Sequence, residues 1–223
     1  MFSKPPLEMA SDLYASAVRN LLLTFSETDH YGPRIETTYF GLPTEAAGLE
    51  PTWPSRPGKK VYAYLKSSPG LKEFFSSLRQ LPISLLVYHN DLPRDLFEHC
   101  VAENIRFTDE RLNLQTIADE ADCVLLNGTH TTTVQLLLRG VPCILAPRHP
   151  EQLLFSERVA NTGAGLIVNH RDPKQLVTGI SEVTSKECYR NRAQNFASRS
   201  AGHDQRALDA QLERLIERNQ SAQ

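Results

Sequence analysis

From residue 60 onward, the sequence alternates short apolar runs with longer segments of helical period. This alternation is typical of a parallel sheet covered by helices on both faces, since each crossover between parallel strands needs its own helix. Six apolar runs are predicted as strands: Val61 to Leu65, Ile83 to Tyr88, Ile105 to Phe107, Cys123 to Leu126, Cys143 to Ala146 and Gly165 to Val168. Five helices are predicted between them: Leu71 to Leu78, Arg94 to Cys100, Leu114 to Ala121, Thr133 to Arg139 and Gln152 to Ala160. The pattern predicts an α/β domain with a Rossmann-like, doubly wound parallel sheet.

The regions on either side of this pattern differ from it and from each other. After the last predicted strand the chain becomes helical, with Asp172 as a cap and Pro173 in the first turn. Before residue 60, residues 11 to 25 fit a single helix, while residues 32 to 58 are dominated by Pro, Gly and Thr and are predicted as a linker. We therefore predict two parts: residues 1–59 as a helix and linker, and residues 60–223 as the α/β domain with C-terminal helices.

Composition excludes several classes of function. The 223 residues, 40% hydrophobic and 22% charged, are enough for a sizeable core, and the net charge of -2 offers no excess of cations for nucleic acid or an anionic membrane. No segment approaches the roughly 18 apolar residues of a membrane-spanning helix, and the N-terminus lacks a signal-peptide pattern, so we expect a cytoplasmic protein. The four cysteines are interpreted as reduced and structural, and no spacing of histidines predicts a metal site.

Two polar loops follow neighbouring predicted strands, at the edge where doubly wound sheets bind ligands. The first runs from Asn127 through Gly128, Thr129, His130, Thr131 and Thr132 into a helix. Small residues, hydroxyl groups and a helix N-terminus suit a phosphate group. The same residue types are also ordinary caps, so this loop alone leaves both interpretations open.

The second loop carries Glu151 and Gln152 at the start of the next helix. Adjacent carboxylate and amide groups can bind several sugar hydroxyls, although a glutamate in a first turn also simply complements the helix dipole. Two such loops on neighbouring strands make a ligand site more plausible than either loop alone.

The segment from Asn127 to Val159 resembles the C-terminal signature of the UDP-glucuronosyltransferase and glucosyltransferase superfamily of GT-B enzymes, including bacterial natural-product glycosyltransferases. The matching features are Gly140-Val141-Pro142, Pro147 at a strand end, the Glu151-Gln152 pair and Gly163-Ala164-Gly165. Further upstream, Asp29, Tyr39, Gly41 and Trp53-Pro54 resemble the interdomain linker of bacterial members.

The resemblance implies one half of a GT-B fold, which binds a UDP- or TDP-linked sugar with no cofactor and no metal. It assigns the donor diphosphate to Asn127, Gly128, Thr129, His130, Thr131 and Thr132, the donor sugar to Glu151 and Gln152, and the nucleoside to Ser67, Leu112 and Asn113. Asn127 replaces the family histidine and brings no positive charge, while Thr129 and Thr131 replace glycines and are expected to crowd the loop. His130 either replaces the missing charge in part or packs on the surface, and we favour the second interpretation.

The reaction implied is transfer of the sugar to an acceptor nucleophile with inversion. The family's general base lies in the acceptor domain, so we expect little turnover from this chain alone. Three hypotheses follow: a fragment that keeps donor binding, a subunit whose acceptor domain is a polypeptide in trans, and a non-catalytic binding or interaction module. An epimerase is disfavoured because it also needs both domains.

Overall fold

The computed structural model describes residues 21–32, 37–42, 48–200 and 205–220. In chain order the strands are β1 (Leu21–Leu22), β2 (Thr38–Tyr39), β3 (Lys59–Tyr64), β4 (Ile83–Tyr88), β5 (Ile105–Thr108), β6 (Cys123–Leu126), β7 (Cys143–Leu145) and β8 (Gly165–Ile167). The helices are α1 (Leu71–Leu78), α2 (Arg94–Cys100), α3 (Leu114–Glu120), α4 (His130–Leu137), α5 (Pro150–Asn161), α6 (Pro173–Ser185), α7 (Glu187–Arg199) and α8 (Gln205–Gln220). A 3-10 turn covers Ser26–Thr28.

The main sheet has six parallel strands in the order β5-β4-β3-β6-β7-β8. All six predicted strands are confirmed. The chain first moves outward from β3 to β5, then returns to the centre and continues from β6 to β8. The direction reverses between β3 and β6, where Tyr64 pairs with Leu126. The carboxyl ends of these two strands are therefore the topological switch point, where open α/β sheets bind their ligands.

Helices cover both faces of this sheet, as the alternating pattern predicts. On one face, Phe74 and Phe75 of α1 and Ile180 of α6 are buried against the strands. On the other face, Phe155 of α5 and Phe196 of α7 are buried in a second cluster. Each large apolar side chain contributes about 1.5 to 3 kcal/mol when fully buried. These two layers hold the carboxyl edge of the sheet in place.

Two helices begin earlier than predicted, and both lie next to the polar loops. α4 begins at His130 rather than Thr133, and α5 begins at Pro150 rather than Gln152. Pro150 fits the first helical position, because the N–H group that proline lacks would have no intrahelical acceptor there. Consequently His130, Thr131 and Thr132, predicted to lie in a loop, belong to the first turn of α4, while Asn127, Gly128 and Thr129 precede the helix. At α6 the prediction is confirmed, since Asp172 accepts hydrogen bonds from the N–H groups of Lys174 and Gln175.

The predicted helix over residues 11 to 25 is wrong for its last five residues. Leu21 and Leu22 form β1 and pair in parallel with β2, and Phe25 packs edge-on against Phe196 at a centroid distance of 5.9 Å. These tertiary contacts outweigh a local helical preference, and residues 11 to 20 lie outside the described residues. Parts of the predicted linker also pack on the domain, since Trp53 contacts its second cluster. The division at residue 60 stays a prediction, with β3 beginning at Lys59.

All four cysteines are free thiols. Cys100, Cys123 and Cys143 are buried, as expected of structural cysteines, whereas Cys188 is exposed. Burial raises the pKa of the Cys123 thiol to about 12, so that this group stays protonated. In the described part of the chain, no helix is long and apolar enough to cross a membrane.

Candidate functional site

Asn127 lies directly after β6 and ties three strand ends together. Its side chain is buried; Oδ1 accepts a hydrogen bond from the Lys66 N–H at 2.7 Å, and Nδ2 donates to the Ala146 carbonyl at 2.8 Å. Lys66 follows β3 and Ala146 follows β7, so one amide joins the loops on both sides of β6. Both ends of the Asn127 amide, predicted to contact a diphosphate, are used within the protein.

Gly128 brings the start of α4 close to α5. Its backbone is left-handed, with φ at +77°, and a Cβ atom there would lie 2.7 Å from Ser156 Oγ and 3.2 Å from the Gln152 carbonyl oxygen. Only glycine fits this combination without strain. Thr129 has an ordinary φ of -72°, and Thr131 lies within the helix. The two threonines that stand where the family signature has glycines therefore require no left-handed backbone, and crowding of a ligand by their Cβ atoms stays a prediction.

The first turn of α4 offers free donors at the switch point. No side chain caps this helix, and the Thr133 N–H already donates to the Thr129 carbonyl. The N–H groups of residues 130–132 are therefore left without an intrahelical acceptor, at the positive end of the helix dipole. The Thr129 hydroxyl is also buried, with no hydrogen-bond partner in the described structure. This cluster of donors can bind an anion.

His130 connects α4 to the N-terminal segment. Its Nε2 lies 2.7 Å from Thr24 Oγ1, and its ring packs against Phe155 with centroids 5.1 Å apart. Burial lowers the pKa of His130, and nearby His30 lowers it further, against the opposing effect of Asp29. The imidazole is therefore neutral near pH 7. It neither packs freely on the surface nor supplies the charge that Asn127 lacks.

An aromatic cavity opens on the β3–β5 side of the switch point, with a volume of about 330 Å³. Its lining residues are Tyr62, Tyr64, Tyr88, Arg111, Leu112, Leu114, Thr131, Thr132 and Gln135. The rings of Tyr64 and Tyr88 lie side by side, with centroids 4.9 Å apart. This cavity unites Leu112 from the predicted nucleoside loop with Thr131 and Thr132 from the predicted diphosphate loop.

The loop before α3 is braced by the N-terminal segment. The Leu49 N–H donates to the Arg111 carbonyl at 2.9 Å, and the Asn113 N–H donates to the Leu49 carbonyl at 2.8 Å. The Asn113 side chain caps α3 by accepting from the Gln115 N–H, and it donates to Glu50. Both the backbone N–H and the side chain of Asn113 are thus occupied, and Leu112 is the residue that faces the aromatic cavity.

A basic cavity of about 440 Å³ lies above the ends of β3, β7 and β8. Its lining residues are Lys66, Asp91, Arg148, His149, Gln152, His170 and Arg171. Gln152 accepts a hydrogen bond from the Arg148 N–H through Oε1 at 2.9 Å. The hydroxyl of Ser68 donates to the His170 carbonyl at 3.0 Å, which ties the β3 loop to the β8 loop. Ser67, predicted near the nucleoside, is half-buried in that β3 loop.

The predicted sugar-binding pair is divided by the helix geometry. Neighbouring helical residues point about 100° apart, so Gln152 faces the basic cavity while Glu151 points away. The Glu151 side chain is 66% exposed, and its Oε1 lies 3.9 Å from His30 Nε2. Within the described ranges, no group of three His, Cys, Asp or Glu side chains could hold a metal ion.

Several lining residues were missed by the sequence analysis. Tyr64 and Tyr88 are the last residues of β3 and β4, and Lys66 and Arg171 lie in loops after β3 and β8. Their position at carboxyl ends of predicted strands was the available signal. Bulky aromatic residues in strands are normally core residues, which is why that signal was not decisive.

Comparison with known proteins agrees with this geometry. No family model matches the chain. A PGL/p-HBAD biosynthesis rhamnosyltransferase of Mycobacterium bovis is 30% identical over 222 residues, which cover 88% of this chain and 47% of that protein. The chain resembles GT-B glycosyltransferases in both sequence and fold. It spans about half the length of the curated relatives it matches.

Solved GT-B structures share the fold of this chain. The glycosyltransferase of kitacinnamycin superposes with a TM-score of 0.72 at 20% identity, covering 94% of this chain and 57% of that one. The glycosyltransferase VinC, solved in complex with DTDP, gives a TM-score of 0.68 at 17% identity, covering 85% of this chain and 50% of VinC. The six-stranded domain is therefore one half of a GT-B fold.

Proposed function

We propose that this GT-B half binds a nucleoside-diphosphate sugar at the switch point and presents it for transfer to an acceptor. The observation that carries the proposal is the meeting of two unlike cavities at the uncapped first turn of α4. Along the sheet edge, the aromatic cavity is followed by the hydrogen-bond donors at the start of α4 and then by the basic cavity. A nucleoside, a diphosphate and a sugar are joined in the same order.

The nucleoside occupies the aromatic cavity in this proposal. Tyr64 and Tyr88 provide flat apolar surface for a base, and Leu112 closes the cavity from the loop before α3. Aromatic side chains stack on bases without strong preference for one base. VinC, described in complex with DTDP, supports thymidine as the first nucleoside to test.

The diphosphate lies over Gly128 and the first turn of α4. The N–H groups of residues 130–132 and the hydroxyls of Thr131 and Thr132 serve as donors, and the close approach at Gly128 leaves room for no side chain. The sugar, together with the β-phosphate to which it is joined, follows into the basic cavity beside Gln152. The Mycobacterium bovis relative is a rhamnosyltransferase by name, so we include rhamnose among the sugars to test.

The proposed reaction is attack of an acceptor nucleophile on the anomeric carbon, with cleavage of the bond from that carbon to the diphosphate oxygen. The diphosphate leaves with the bonding electron pair, and the acceptor proton passes to a general base. We place that base in an acceptor half, supplied either by a longer chain or by a separate polypeptide. Holding donor and acceptor together would contribute much of the rate.

Thermal unfolding with added nucleoside diphosphates tests this function. A ligand at about 100 times its Kd stabilises a protein by about 2.7 kcal/mol, which raises Tm by roughly 5 to 10 °C for a chain of this size. We expect such a rise with TDP or UDP. The double variant Thr132→Ala, Gln152→Ala should lose it.

The matched control is Thr178→Ala, Gln194→Ala, which makes the same chemical changes at exposed positions on α6 and α7. This control should keep the full shift. If none of several nucleoside diphosphates stabilises the wild-type chain, the proposed donor site is wrong.

A further inference from the structure

The switch point has no cation where the family signature has a histidine. Residue 127 is a neutral asparagine whose amide is used by Lys66 and Ala146, and His130 is kept neutral by burial. A departing diphosphate carries developing negative charge, and fixed positive groups that stabilise this charge speed its departure. The structure must therefore place any compensating cations elsewhere around the site.

Three cationic side chains line the basic cavity, each from a different strand-end loop. Lys66 follows β3, Arg148 follows β7 and Arg171 follows β8, and Asp91 is the one carboxylate in the lining. Treating the histidines as neutral, the three cations and one anion give the lining a net charge of about +2. The aromatic cavity, by contrast, has Arg111 as its one charged lining residue.

Hydrogen bonds between the loops bring these cations together. The Asn127 amide connects the backbone of Lys66 to Ala146, two residues before Arg148, and the backbone of Arg148 is held in turn by Gln152. Ser68 binds the carbonyl of His170, next to Arg171. Asn127 thus brings no charge of its own, but its hydrogen bonds hold the loops that carry other charges around the cavity.

The cations keep donors available for a ligand. Lys66 Nζ contacts Asn90 and lies 3.3 Å from Asp91 Oδ2, which leaves one of its three N–H groups. Arg171 lines the cavity and uses Nε for His170, which leaves its two terminal nitrogens unused by that bond. Burial lowers the pKa of His170, and Arg171 and Arg148 lower it further against the effect of Pro147, which agrees with both arginines lying close by.

We propose that Lys66, Arg148 and Arg171 bind the β-phosphate of the donor and supply the positive charge that residue 127 lacks. The inference rests on the proposed function. Two arginine forks and one ammonium group are well suited to phosphate oxygens. Asn127 acts as a positioning residue, because its amide holds the loops that carry the first two cations.

Calorimetric titration of the full chain with TDP, TMP and thymidine separates the β-phosphate from the rest of the nucleotide. In the triple variant Lys66→Gln, Arg148→Gln, Arg171→Gln, we expect TDP affinity to fall roughly 10- to 100-fold, since hydrogen bonds to charged groups are the strong ones. Affinity for TMP and thymidine should stay within about twofold. Arg139→Gln changes an exposed arginine in the turn after α4; it is the matched control and should bind TDP as the wild type does.

The outcomes separate this inference from the proposed function. A wild-type chain that binds no nucleoside diphosphate overturns both. A folded triple variant that keeps wild-type TDP affinity overturns the β-phosphate assignment while leaving the donor site intact. An equal loss of TMP and TDP affinity also overturns it, because the cations would then act on the α-phosphate or on the whole site. Unchanged thermal unfolding without ligand confirms that the variant is folded.

Discussion

The aromatic cavity and the basic cavity share one edge of one sheet but are built differently. The aromatic cavity takes Tyr62, Tyr64 and Tyr88 from strands that are hydrogen-bonded to neighbours on both sides. The basic cavity takes its charged side chains from loops after the strands, and these loops are held by individual side-chain bonds. Strand positions make a rigid, shape-selective wall, whereas loop positions can place charge without disturbing the core.

The contrast explains how the chain departs at residue 127 from the GT-B signature that it resembles without losing the architecture of its sheet edge. Changing residue 127 alters the loop region, where charge can be supplied from another strand end. The strand region has no such freedom, because its side chains also pack the sheet. Substitutions in one region, or at the Asn127 loop, should therefore affect the two regions differently.

The largest effect is expected at the junction, from Asn127→Leu. This change keeps the number and branching of side-chain heavy atoms but leaves the Lys66 N–H and the Ala146 carbonyl without partners, each at a cost of about 1 to 3 kcal/mol, so we expect about 2 to 6 kcal/mol less stability. Urea unfolding measures this loss of stability. Asn195→Leu on exposed α7 is the control and should change stability by less than about 0.5 kcal/mol. Equal stabilities of the two variants would mean that the Asn127 amide does not hold the loops after β3 and β7.

The next effect is expected at Gly128, where α4 approaches α5. An alanine there meets Ser156 Oγ and the Gln152 carbonyl in addition to adopting a left-handed backbone. Gly32 has a similar φ of +90° but no atom within 4 Å of a Cβ, so Gly32→Ala measures the backbone cost alone. We expect Gly128→Ala to be the less stable variant by about 1 to 3 kcal/mol. If both lose the same stability in urea unfolding, the close packing beside the basic cavity is not important.

A smaller effect on binding is expected in the aromatic cavity. Tyr88→Ala removes one of two adjacent rings, and loss of a base-stacking surface costs about 1 to 3 kcal/mol. TDP and thymidine should therefore lose affinity by the same factor in calorimetric titration. Tyr88→Phe keeps the ring and should bind both as the wild type does. Selective loss of TDP affinity in Tyr88→Ala would contradict the assignment of the nucleoside to this cavity.

The smallest effect is expected on the pH dependence of stability, through His130. Because burial lowers the pKa of His130 in the folded state, the unfolded chain binds a proton at higher pH than the folded chain does. The contribution of the neutral His130 ring to the free energy of unfolding is thus complete above the unfolded pKa of about 6.5. It is lost as pH falls below that value. Unfolding between pH 7.5 and pH 5.5 should show this loss, reduced but not abolished in His130→Gln, since the pKa values of His89 and His170 are also lowered.

Thr24→Val provides the control for this measurement. It removes the hydroxyl that binds His130 but keeps the titrating ring. The variant should be less stable at every pH and still lose stability on acidification. An identical pH dependence in the wild type and in His130→Gln would show that the buried ring does not contribute to the difference.

The sequence by itself determined the strands, their alternation with helices and the loops in which we propose the ligand site. Apolar runs and helix-ending signals such as Gly140 and Pro142 are local, and local signals suffice to mark where a buried strand begins and ends. The GT-B resemblance also depended on ordered local motifs. The predicted helix near residue 25 failed because Phe25 is held by Phe196, a contact between distant parts of the chain.

Only the tertiary structure decided how the site residues are used. Tyr64 and Tyr88 become neighbours because β3 and β4 are paired in register, and Asn127 turns inward because two unsatisfied backbone groups from other loops meet its amide. Glu151 and Gln152 are adjacent in sequence yet face different surroundings because a helix separates successive side chains. Burial, pairing register and hydrogen-bond competition depend on residues far apart in the chain, and those distances exist only once the sheet has formed.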